Sequence, residues 1–240
     1  MWDGLPRVAS RLTIRSLSTP PLRSYVPMFG QVDFDPSSAY PGTPFEDVLE
    51  AAGNAVAAGK IKAVGASNES AAGLMLAAAA ASPPARPRLA AVSNAYSLLG
   101  RNFEQTAAEA AALTGVPLLA YGPHAAGLLT GKYADGGPPE ARLNRYKARY
   151  AEEGKRYAST EKVKAAVAAY VSVARDAGIA PAELALRFVL GRPQVAVAVV
   201  GATAPEQLAA SLAAAVRGRL PDGVLAACDA VHALNPNPAP

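Results

Sequence analysis

Cysteine is nearly absent from this chain: Cys228 stands alone, so no internal disulfide can form, and its composition suits a reducing compartment with a buried structural thiol. Histidine occurs only twice, as His124 and His232, which leaves too few soft ligands for an obvious metal site. Aromatics make up 6% of the residues and Trp2 is the lone tryptophan. No apolar run is long enough to cross a bilayer, and the Ala-rich stretch 71–81 reads as a packed helix. Acids are missing from residues 4–32, where Arg7, Arg11, Arg15 and Arg23 lie. Those four arginines account for the whole excess of Lys plus Arg over Asp plus Glu, 23 against 19, so the basic balance is no sign of a nucleic-acid surface.

What is present is apolar and alanine-rich. Half of the 240 residues are hydrophobic, enough to bury one sizeable core. The leader, "LPRVASRLTIRSLST" at 5–19, repeats Arg every fourth residue beside Leu5, Val8, Ala9 and Leu12. It is amphipathic, hydroxyl-rich and acid-poor, as organelle transit segments are; a disordered start fits equally, so the location is cytoplasmic or organellar. A second basic cluster, 142–156, contains Tyr146 and Tyr150 but is diluted by Glu152 and Glu153, and reads as a solvated loop or helix.

From residue 43 the pattern is regular. Thr43, Pro44 and Glu46 spell a capping box ahead of a helix that stops at Gly59. Apolar runs at 61–66, 88–94, 116–121 and 195–202 read as strands. Helices are predicted over 71–81, 103–114, 160–177, from Pro181, over 205–217 and over 221–233, with a second capping box at Thr203 and Glu206. Continuous apolar strands alternating with helical crossovers predict an α/β fold: a parallel sheet covered on both faces.

In such a sheet the binding residues lie where strands end and helices begin. Those ends read "GASNES" (65–70), "SNAYSLLGR" (93–101), "YGPHAAGLLTGKY" (121–133) and "GATAPEQL" (201–208). "GLLTGK" is not a nucleoside-triphosphate loop, because Gly127 and Gly131 are too close and Tyr133 follows Lys132 where a magnesium ligand belongs. It remains a turn with exposed N–H groups and one lysine, able to hold a diphosphate without metal. Gly201 and Thr203, before a helix, offer a second anion site. Plain turn geometry also explains these glycines. Chemistry on a phosphosugar would need convergent carboxylates, and only Glu69 lies close to a strand end.

These turns, with "YVPMFGQ" (25–31) and "TPFEDVLEAAGNAVAAGKIK", resemble the C-terminal part of the aldo-keto reductase family. The similar branch includes potassium-channel β subunits and Tas-type reductases. The resemblance implies a partial (β/α)8 TIM barrel over 25–234, between a non-homologous leader (1–24) and a tail (235–240). It implies NADP(H) as cofactor and a small-molecule aldehyde or ketone as substrate. It also implies roles for residues: Ser67, Asn68 and Ser93 at the nicotinamide carboxamide; Tyr121 stacked on the nicotinamide ring; Gly122, Pro123, His124, Ala125, Gly127 and Leu128 with Lys132 at the pyrophosphate; Arg142 in the covering loop; Gly201, Thr203 and Gln207 at the 2′-phosphate and adenine.

The pattern departs from the family at Ser93 (commonly Gln), Gly122 (Ser), His124 (Leu), and Ala210 and Ser211 (Glu, Asn). His124 reads as a surface replacement or, by its chemistry, a proton donor. The family's catalytic Asp, Tyr, Lys and His belong to the first half of the barrel, and residues 1–24 resemble none of those strands, so no catalytic residue is assigned. Two functions follow as expectations: an NADPH-dependent carbonyl reductase, or an inactive partial barrel that binds cofactor weakly, self-associates through open sheet edges, or serves as an interaction or regulatory subunit.

Overall fold

A computed structural model describes residues 43–146 and 156–239; the leader and "YVPMFGQ" lie outside the described residues. Four strands form one sheet in the order β1-β2-β3-β4: Ala66–Ser67, Val92–Ala95, Leu118–Tyr121 and Val195–Val199. The first pair is parallel, with Ala66 opposite Val92 and Ser67 opposite Ser93. Sequential neighbours in parallel register need a crossover, and helices supply it.

The described residues divide into two compact units, 43–94 with 106–119, and 95–105 with 120–239. The first begins with α1, Phe45–Ala57, whose N-cap is Pro44 and not Thr43, with no side-chain cap bond. Proline already sets an extended entry, and Glu46 and Asp47 in the first turn satisfy the helix dipole instead. Phe45, Leu49 and Ala52 meet Val64, Ala77 and Ala80 in one buried cluster. Gly53 lets the chain cross closely: a Cβ there would sit 1.8 Å from the Ala85 carbonyl oxygen. The strand expected at 61–66 shrinks to the two residues of β1, because the ladder is sparse there: Ala90 N–H donates to Val64 O (2.8 Å) and Ala66 N–H to Ala91 O (3.1 Å). Helix α2, Ala71–Ala80, is capped by Ser70, whose hydroxyl accepts from Gly73 N–H (3.3 Å), and it packs against α1 and α4. The helix expected at 103–114 is two, α3 (Asn102–Thr106) and α4 (Ala108–Thr114), broken at Ala107, whose φ of −121° is not helical. Gly115, at φ 69°, ends α4.

In the second unit β3 runs into a 3-10 turn, Ala125–Thr130, and then a short α5, Arg142–Arg145. Helix α6, Glu161–Asp176, is capped by Thr160. Helix α7, Pro181–Leu190, is the hub, in contact with α6, β4, the 3-10 turn and α8 (Pro205–Ala215). Helix α9, Asp222–Leu234, packs on α6. The sheet is expected to be covered on both faces, yet in the apolar strand β4 Val197 and Val199 are 46% and 47% exposed. A parallel strand is covered only when both lateral neighbours and both faces are filled, and β4 ends the sheet with β3 beside it.

Beside Phe188 of α7 the unit buries charge. The guanidinium carbons of Arg101 and Arg192 lie 5.1 and 4.1 Å from its ring centroid, and the Tyr96 ring stacks on it at 6.4 Å. Arg101 donates to Asp229 (2.7 Å) and to Glu104 (2.8 Å), which also accepts from the Tyr96 hydroxyl. The segment after α9 is tied to the same place: Asn237 Oδ1 accepts from Arg101 N–H (2.7 Å), and Ala239 N–H donates to Leu99 O (2.9 Å). Cys228 is fully buried and unpaired, and burial pushes its thiol up to about 11.

Candidate cofactor site

In the first unit the strand ends of β1 and β2 lie side by side. Asn68 sits at φ 56°, unusual for a side chain, and its N–H donates to Ser93 O at 2.9 Å, extending the ladder one step past β1. Its carboxamide Nδ2 reaches the Ser67 hydroxyl at 3.4 Å. Ser67, Asn68 and Ser93 are thus brought together, all half-buried. The left-handed residue is backed by Asn94, which sequence reading missed, and by Glu69, which it noted only as a carboxylate near a strand end. Asn94 Nδ2 donates to Glu69 O at 2.9 Å, and Glu69, 3% exposed, accepts from Ser70 N–H at 3.3 Å. Asn94 Oδ1 is buried and has no partner among the described residues. An Asn on the strand after a surface-patterned Ser gives no period-based signal, since alternation alone turns it toward the helices.

In the second unit the turn after β3 is strained. Gly122, Ala125, Ala126 and Gly127 have φ of 68°, 48°, 54° and 93°. For the two alanines this costs about 1–3 kcal/mol each, which persists only where surrounding bonds over-determine the backbone. Those bonds are present: Ala125 N–H donates to Gly122 O (2.8 Å), Gly127 N–H to His124 O (2.9 Å), and the Thr130 hydroxyl to Gly127 O (2.8 Å). Pro123 and Leu128 are buried beneath the turn. Lys132 folds back over it: a Cβ on Gly127 would lie 2.8 Å from Lys132 Cε and 3.0 Å from Nζ. A glycine cradle with an ammonium resting on it fits a diphosphate.

Two expectations change in this unit. His124 is half-buried rather than a surface substitute, and its Nε2 lies 3.2 Å from Ala182 O, at the start of α7. Burial first, and the nearby Lys132 charge second, lower its basicity against the pull of that carbonyl, so the imidazole is neutral and its Nε2–H donates. The basic cluster at 142–156 is not uniformly solvated: Arg156 is 4% exposed. Its Nη1 donates to the Tyr121 hydroxyl at 3.1 Å, and its guanidinium carbon lies 5.8 Å from the Tyr121 ring centroid. The hydroxyl of Tyr157, also buried, lies 3.0 Å from where a Gly122 Cβ would stand.

Arg142 is exposed on α5, which the turn holds in place: Leu143 N–H donates to the Tyr133 hydroxyl (3.1 Å), and Asn144 Nδ2 to Gly136 O (2.7 Å) and Pro138 O (2.9 Å). At the start of α8 the N-cap is Ala204, without a side-chain bond, so the Thr203 capping box does not form. Gln207 Oε1 instead accepts from Thr203 N–H (3.0 Å) and from its hydroxyl (3.3 Å). Gly201, Thr203 and Gln207 are brought together and exposed, but a phosphate there must displace the Gln207 carboxamide and meet Glu206 in the first turn. Ser211 spends its hydroxyl on Gln207 O (2.8 Å). Among the described residues no group of three or more His, Cys, Asp or Glu could hold a metal, and no helix is long and apolar enough to cross a membrane.

The model of the Aldo/keto reductase family matches residues 31–233. The protein tas of Escherichia coli K12 is 39% identical over 212 residues, covering 88% of this chain and 60% of that protein, as is its counterpart in Shigella flexneri. The solved glycerol dehydrogenase AKR11B4 of Gluconobacter oxydans superposes with a TM-score of 0.63 at 27% identity, over 82% of this chain and 57% of its own. The chain therefore spans less than two thirds of the length of these relatives.

Proposed function

The chain belongs to the aldo/keto reductase family, an α/β fold of the TIM-barrel kind, and from that premise we propose that it binds NADP(H) and takes part in carbonyl reduction. The observation that carries this reading is the strained turn from Gly122 to Lys132. Ala125 and Ala126, with Gly122, Gly127 and Gly131, hold left-handed dihedrals there, and an ammonium lies on Gly127. Strain of that kind is kept where it shapes a site. When bound, the dinucleotide supplies the hydride. In the second unit Lys132 and its turn would hold the diphosphate beneath Arg142, Tyr121 would offer its ring to the nicotinamide, and Gly201, Thr203 and Gln207 would meet the adenosine end; in the first unit Ser67, Asn68 and Ser93 would orient the carboxamide. Ser93, shorter than the family's Gln, leaves the carboxamide with one weaker partner. The adenosine end has no cation in its turn, so preference for NADPH over NADH is modest. The substrate is a small aldehyde or ketone; no residue is assigned to proton transfer.

Titrating the protein into NADPH and following the fluorescence of the reduced nicotinamide tests this reading. Saturable binding, weakened about tenfold or more by Lys132→Met, is the expected result. Absence of any response by the wild-type protein rejects it. A panel of aldehydes, followed by loss of the cofactor's near-ultraviolet absorbance, then separates turnover from binding.

One observation favours a second reading, an interaction subunit that binds cofactor weakly. Val197 and Val199 on β4 and Leu208, Leu212 and Val216 on or just beyond α8 are 46%, 47%, 46%, 61% and 85% exposed. Apolar strand edges and helix faces of this size recruit partners, a second copy of the chain among them.

A further inference from the structure

We propose that Arg156 is a positioning residue that fixes the Tyr121 ring plane against the nicotinamide. This rests on the cofactor reading above and adds a residue to it. The backbone of Tyr121 is set by β3, where its carbonyl accepts from Tyr96 N–H at 3.1 Å. Its ring is not set by that bond, because the torsion between Cβ and an aromatic ring is broad. A half-buried tyrosine at a strand end, followed by Gly122 at φ 68°, has no covalent restraint on its plane.

Arg156 supplies two restraints at once. One nitrogen of its fork holds the phenol hydroxyl at 3.1 Å, and its flat cation lies 5.8 Å from the ring centroid. Only a planar, multi-donor cation can engage the hydroxyl and approach the ring together; an ammonium is a single point. The residue is 4% exposed, so it is built into the unit and not a surface cation that happens to rest there. Tyr157, its neighbour in sequence, packs its hydroxyl at the Gly122 backbone, so the same short segment steadies both Tyr121 and the turn that follows it. A stacked ligand gains most from a ring that is already oriented, since no rotational freedom is lost on binding.

The test compares two ligands on the full chain. NADPH reaches Tyr121; 2′,5′-ADP carries the adenosine end alone. Arg156→Met is expected to weaken NADPH about tenfold and leave 2′,5′-ADP unchanged. Arg156→Lys restores the charge without the fork and recovers little of the loss. Tyr121→Phe removes the hydroxyl and keeps the ring; combined with Arg156→Met it is expected to bind NADPH no worse than Arg156→Met alone, because the two share one interaction. Equal loss of both ligands, unchanged NADPH affinity, or full additivity overturns the proposal. Should Arg156→Met fail to fold, the same comparison made with Arg156→Lys decides it. Wild-type protein that binds 2′,5′-ADP but not NADPH defeats the inference alone; wild-type protein that binds neither defeats the cofactor reading.

Discussion

At the scale of single residues, glycines and one histidine carry the sharpest consequences. A methyl at Gly53 meets the Ala85 carbonyl at 1.8 Å, a contact no flexible side chain can relieve. Gly53→Ala is therefore expected to lower unfolding free energy by about 2 kcal/mol or more in urea titration, even though alanine is the better helix former by about 1 kcal/mol. Gly127→Ala acts differently. Its φ of 93° and the clash with Lys132 push the ammonium off the turn, so NADPH affinity is expected to fall about tenfold in a fluorescence titration with a smaller loss of stability. His124 is held neutral: its folded pKa lies below the ordinary value of 6.5, so the unfolded chain takes up a proton first as pH falls. Stability then rises with pH through the window below about 6.5 and is lost as pH falls through it. His124→Leu is expected to flatten the fall in unfolding free energy between about pH 7 and pH 5, leaving the parallel contribution of His232, lowered chiefly by burial, in place.

At the scale of elements, the helices were legible and the strands were not. Helices α2, α6, α7 and α9 fall where the ranges 71–81, 160–177 and 221–233 and the start at Pro181 put them, because periodicity, proline starts and stops are local chemistry. Strand limits depend on which carbonyl the next strand offers, so the expected runs shortened to between two and five residues. The two Thr-x-x-Glu boxes failed for a local reason. At Thr43 a proline took the cap, and at Thr203 the side chain of Gln207 reached the donor first. The buried charges around Phe188 join α3, α7, α9 and the chain beyond Leu234, a junction no local pattern announces. Arg101→Leu is expected to cost about 2–4 kcal/mol by thermal or urea unfolding, since it removes the guanidinium that donates to Glu104 and Asp229. Asp229→Asn, with its side chain 52% exposed, is expected to cost under about 1 kcal/mol.

At the scale of the whole molecule, membership of the aldo/keto reductase family was readable because four separated turns kept both their order and their residue types. Ser67, Asn68, Tyr121, Lys132 and Thr203 each came from such a turn; Arg156 did not, because it ends a basic run whose other members gave no sign of burial. The exposed apolar side chains of β4 and α8 give the interaction reading its test in solution. Sedimentation velocity is expected to show concentration-dependent association, reduced by Leu212→Lys with Val216→Lys, the two most exposed of the large apolar side chains on that helix and its end. A protein that stays monomeric at all concentrations sinks the interaction reading while leaving cofactor binding untouched.

The amino-acid order alone determined the alternation of strand and helix, the placing of the helices near 71–81 and 160–177, and the turns that carry the family resemblance. Each depends on residues near one another in the chain. Tertiary structure decided the length of the strands, the exposure of β4 and the burial of Arg156 against Tyr121. These depend on what lies opposite in space, and a pattern of hydrophobicity says which face a residue prefers without saying what will be there to meet it.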